Sequence, residues 1–120
     1  MTGYAPFRSV LIDAKTADET TSVAIDCQGY THLVMYCIAV GTLSSGAVTY
    51  EETTYDPTVP GGTGGATSTW AAIGSAVSPT TDTTSATHLT AGAYHWVRAR
   101  ISTAIAGGGT VTVVLCGQSS

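Results

Sequence analysis

Charge is what this chain has least of. Asp, Glu, Lys and Arg make up 10% of its 120 residues, against ~25% in an ordinary soluble domain. Lysine occurs once, at Lys15, and asparagine does not occur. Lysine and glutamate are the residues that usually keep a free monomer apart from its neighbours. Their scarcity points to a surface that other chains cover. The net charge is −4, and Arg98 and Arg100 are the nearest thing to a basic patch. That excludes nucleic acid and an anionic membrane surface as partners. The absence of Asn removes any N-glycosylation sequon. No apolar run approaches the ~20 residues of a membrane-spanning helix. The stretch Met1 to Ala14 lacks a basic start followed by an apolar core, so no signal peptide is expected.

Cysteine is also scarce. Cys27, Cys37 and Cys116 are odd in number and irregular in spacing, which fits neither a disulfide framework nor a zinc pattern. They read as reduced, buried thiols of a protein folded in a reducing cytoplasm. Two catalytic signatures are missing as well. No Gly-x-Ser-x-Gly elbow is present. The run Pro60-Gly61-Gly62-Thr63-Gly64-Gly65 lacks the Gly-Lys-Ser/Thr ending of a phosphate loop, and no helix follows it. No cofactor is expected.

What is present is Thr, Ser, Gly, Ala and short β-branched runs. The length suits one domain, residues 1–120, with a core of its own. Period-two alternation, in which successive side chains face opposite sides of a sheet, marks Thr21 to Cys27, Val48 to Thr54 and Thr110 to Leu115, and Phe7 to Asp13 is a further strand candidate. Thr69 to Ile73 is a short strand and Thr87 to Leu89 a marginal one. The helix-like stretches, Asp13 to Thr20 and Thr69 to Ala76, are short, and none has a convincing 3.6-residue period. The expected fold is all-β: a single-domain antiparallel β-sandwich, jelly-roll-like, of seven to eight strands.

Two strands carry functional information. His32 to Val40 is apolar at nearly every position, although one face of a two-layer sandwich strand normally meets solvent. Its outer face, which includes Tyr36, is expected to be covered by another subunit. The second strand, Tyr94 to Thr103, puts Val97, Ala99 and Ile101 on one face and Tyr94, Trp96, Arg98 and Arg100 on the other. Gly107, Gly108 and Gly109 then permit a reversing loop. Aromatic and Arg side chains are enriched at binding hot spots, which makes Tyr94, Trp96, Arg98, Arg100, Tyr36 and Trp70 the interface candidates. Alternatively, Trp96 lies in the core, or the arginines pair with surface carboxylates for little gain.

Other chemistries are weaker. Glu51 with Asp56 has the composition of a glycosidase carboxylate pair, and the two with Glu52 and Asp82 that of a calcium site. Solvated acids at a strand end are the commoner case. His32, His88 and His95 stand in no metal-binding spacing. Neither a catalytic residue nor a metal site is expected.

The order of features narrows the reading. A strand ending in acidic residues (Ala47 to Thr54) is followed by a Gly-rich loop and the Trp strand Thr69-Trp70-Ala71-Ala72-Ile73-Gly74. The hairpin Tyr94-His95-Trp96-Val97-Arg98-Ala99-Arg100-Ile101 and Gly107 to Val113 closes the series. Over the C-terminal two-thirds of the chain this resembles small jelly-roll structural proteins of tailed bacteriophages, such as head decoration (cement) proteins. The resemblance implies a non-enzymatic virion protein, made in the host cytoplasm, that forms a homo-oligomer, typically a trimer. It implies binding to the major capsid protein on the capsid exterior, which stabilises the head. It transfers no site residue. The alternative is a carbohydrate- or receptor-binding jelly-roll module of a phage tail fibre or baseplate, with Trp70 or Trp96 stacking on sugar.

Overall fold

The computed structural model describes residues 6–27, 29–53, 70–89 and 96–118. They form an all-β sandwich of eight strands: β1 (Phe7–Lys15), β2 (Ile25–Asp26), β3 (His32–Val40), β4 (Ser45–Thr53), β5 (Ala71–Ala72), β6 (Thr84–Leu89), β7 (Trp96–Ala106) and β8 (Thr110–Gln118). One sheet runs β1-β8-β3-β6 and the other β2-β7-β4-β5, with every pairing antiparallel. The first strand pairs with the last, the second with the seventh, the third with the sixth and the fourth with the fifth. This nesting is a long hairpin rolled onto itself, the jelly-roll order.

Alternation decides what each sheet buries. Leu33, Met35, Cys37 and Ala39 of β3 and Val111, Val113 and Leu115 of β8 point inward. Val48 and Tyr50 of β4 meet them from the other layer, as do Val97, Ala99 and Ile101 of β7. The aliphatic face of β7 is therefore the inner one, and its Trp/Arg face is the outer one. Each fully buried Val, Leu or Ile contributes about 1.5–3 kcal/mol relative to exposure.

Close contacts fix the layers. Gly117 faces inward with the Phe7 ring against its Cα, where any Cβ would collide with that ring. Phe7 in turn meets Tyr30 edge-on, with ring centroids 4.8 Å apart. The β5–β6 turn is tied to the β3–β4 turn by side chains. Gly41 N–H donates to Asp82 Oδ1 at 2.7 Å, and Leu43 N–H donates to Thr81 Oγ1 at 2.9 Å.

Two segments differ from their sequence patterns. The run from Thr21 is strand only at Ile25–Asp26, because Ser22 uses its hydroxyl to accept the Ala99 N–H at 2.9 Å; a side chain replaces a ladder carbonyl there. Val23, placed inward by alternation, is 71% exposed. At the other sheet, β6 begins at Thr84 rather than Thr87, in register with β3 from Ile38↔Thr84 to Leu33↔Leu89.

Candidate interaction faces

The outer face of the β2-β7-β4-β5 sheet carries most of the candidate residues. Outward positions of β4 are Thr49, Glu51 and Thr53; those of β7 are Trp96, Arg98, Arg100 and Ser102. Register sets Glu51 opposite Arg98 and Thr53 opposite Trp96. Arg98 Nε donates to Glu51 Oε1 at 2.8 Å, and Arg100 Nε donates to Glu51 Oε2 at 3.2 Å. Arg100 Nη1 donates to Glu19 Oε2 at 2.9 Å. Trp70, just before β5, lays its indole over the Arg98 guanidinium at 4.1 Å, a cation–π contact. Thr49 Oγ1 donates to Ser102 Oγ at 2.8 Å to continue the polar stripe.

Much of this stripe is enclosed within its own chain. Arg98 is 1% exposed, and Glu51, Thr53 and Trp70 are buried with it. The two arginines and two glutamates balance in charge, so the cluster is a neutral, satisfied network that holds Trp70 against the sheet. Glu51 is accordingly no solvated acid at a strand end. Both of its oxygens are bound by guanidinium groups, which leaves it neither a free metal ligand nor a free base. Asp82 serves its turn, and Asp56, His95 and Tyr94 lie outside the described residues. Among the described residues no cluster of His, Cys, Asp and Glu is arranged to hold a metal ion.

Arg98, Arg100, Trp70 and Trp96 thus share one face, and Tyr36 does not. Tyr36 lies on the outer face of the β1-β8-β3-β6 sheet, between Val114 of β8 and Ala86 of β6. The strands β3, β6 and β8 contain no Asp, Glu, Lys or Arg at any position. Their outward side chains are His32, Val34, Tyr36, Ile38 and Val40, then Thr84, Ala86 and His88, then Thr110, Thr112, Val114, Cys116 and Gln118. Val10 of β1 joins them at 48% exposure and Val40 reaches 59%. A shallow groove of about 240 Å³ crosses one end, between Phe7, His32, Val34, Tyr36, Cys116 and Gln118.

The thiols divide between core and surface. Cys27 and Cys37 are buried and Cys116 is partly exposed at the groove. Burial, with help from the Asp26 charge, pushes the Cys27 thiol up to about 12. Burial alone pushes the Cys37 thiol up to about 11. Both stay protonated and inert at neutral pH.

No family model, curated protein or solved structure matches this chain.

Proposed function

We propose that this chain is a non-enzymatic structural protein of a tailed-bacteriophage virion. In this reading it is a capsid decoration protein that associates with further copies and binds the outer capsid surface to stabilise the head. The observation that supports it most is the outer face of the β1-β8-β3-β6 sheet. Three adjacent strands without a charged residue present Val34, Tyr36, Ile38 and Val40 outward, which suits a surface that is covered in the working assembly. A contact of this kind needs no chemistry. Apolar burial supplies the affinity, and many copies on one shell add up by multivalency.

Of the two outer faces, this one is the better docking surface, because Arg98 and Trp70 are already occupied by contacts within the chain. The fold supports the reading only as context, since jelly rolls serve capsids, lectins and cupins alike. The test is binding to empty capsids of the virus that encodes the chain. Saturable co-sedimentation at a fixed ratio of copies per capsomer is expected. A chain that ignores those capsids and binds a glycan array instead belongs to the tail-fibre or baseplate class.

A further inference from the structure

The four edges of the sandwich are not alike. Edge strands expose unpaired backbone groups, and proteins protect them by shortness, bulges, proline or charge. Two edges, β2 and β5, are two residues long. The β1 edge carries Arg8, Asp13 and Lys15, and its register with β8 is broken between Val10 and Ile12 and again between Ile12 and Lys15. Among the described residues the fourth edge, β6, has none of these devices. It is six residues long, Thr-Ser-Ala-Thr-His-Leu, without charge, proline or bulge, and it pairs with β3 without interruption.

Register shows which backbone groups β3 uses and which it does not. Ala39 N–H donates to the Thr83 carbonyl at 2.9 Å, in step with the pairing of Ile38 with Thr84. Antiparallel pairs alternate between hydrogen-bonded and non-hydrogen-bonded positions. Ser85, Thr87 and Leu89 therefore direct their N–H and C=O groups at β3, while Thr84, Ala86 and His88 direct theirs away from the sheet. The side chains of those same three residues are exposed.

We propose that β6 is a pairing edge for a second copy of this chain, joined antiparallel about a two-fold axis at Ala86. In that register Ala86 faces its own counterpart, and Thr84 faces His88 of the other copy. All three outward-directed residues fall in hydrogen-bonded pairs, each exchanging two bonds. The edge is self-complementary, as an isologous contact requires. No like charges oppose across it, because β6 contains none. The joined sheets place the two apolar outer faces side by side, with Tyr36 in the strand next to β6 on each half. This inference stands independently of the capsid reading.

The test combines sedimentation velocity over a concentration series with amide hydrogen exchange on the wild-type chain. The expected result is a dimer in which the amides of Thr84, Ala86 and His88 gain protection as concentration rises. Ala86→Pro removes an N–H that β3 does not use, and edge strands tolerate proline there. Ala86→Lys sets two cations opposite each other across the axis and keeps the β3–β6 ladder, so it serves if the proline variant fails to fold. Each variant is expected to weaken association by at least about tenfold. A chain that stays monomeric overturns the proposal, as does an oligomer whose β6 amides exchange freely, or an Ala86→Lys variant that associates like the wild type. A trimer that binds capsids with free β6 amides overturns this inference alone and leaves the capsid reading standing.

Discussion

Tyr50 carries a hydroxyl into the centre of the sandwich, where it has no hydrogen-bond partner among the described residues. Burial raises its ionisation well above the ordinary tyrosine range. An unsatisfied buried hydroxyl costs about 1–3 kcal/mol, so Tyr50→Phe should leave stability unchanged or raise it by about 1 kcal/mol, measured by urea unfolding. Glu51 is the opposite case. Glu51→Ala removes the carboxylate that binds the buried Arg98 and should cost about 3–5 kcal/mol. Glu19, whose side chain is 66% exposed, should cost under about 1 kcal/mol on conversion to Gln. The buried thiols give a pH signature. Folded Cys27 and Cys37 hold their protons to about 12 and about 11, whereas unfolded thiols ionise from their ordinary value of 9.0. Above that value the unfolded state binds fewer protons, so stability falls as pH rises from there toward the folded values. In native protein a thiol reagent should react fast with Cys116 alone, and with all three cysteines after denaturation.

At the scale of elements, the β7–β8 hairpin is the best-specified part. Its turn uses positive φ at Gly107 and Gly108, +112° and +104°. A Cβ on Gly107 would also come within 2.8 Å of the Thr42 carbonyl oxygen and 2.7 Å of the Ser44 nitrogen. Gly107→Ala should therefore cost about 1–3 kcal/mol in thermal unfolding. This hairpin was legible in the sequence because both of its strands alternate strongly and three glycines separate them. The β6 strand was only half legible. Its outward residues are Thr84, Ala86 and His88, none strongly apolar, so its length comes from pairing with β3 and not from its own pattern. The segment before β2 misled for the reverse reason: its alternation is clear, but Ser22 takes over a backbone role. Sequence alternation also separated the two faces of β7 without saying which was inner. That was settled by the facing layer, where Met35 and Cys37 of β3 and Val113 and Leu115 of β8 meet Val97, Ala99 and Ile101. The pairing of Glu51 with Arg98 was hidden because it joins residues far apart in the chain, and only the β4–β7 register brings them opposite.

Taken whole, the molecule is a sandwich with two unlike outer faces. One is a polar stripe closed over by Trp70 and by its own ion pairs. The other is a nearly uncharged sheet that leaves Val10 and Val40 substantially exposed. The low charge of the sequence and the apolar run of β3 pointed to the second face; the sequence could not reveal that Arg98 is buried under the first. The measurement that tests the account most directly is quantitative co-sedimentation with empty capsids of the encoding virus, comparing wild type with the double variant Val10→Lys/Val40→Lys. Both positions are exposed, so the variant should fold and keep its circular dichroism spectrum. The account predicts saturable binding by the wild type and at least about tenfold weaker binding by the variant. Equal binding by both, or binding by neither, contradicts it.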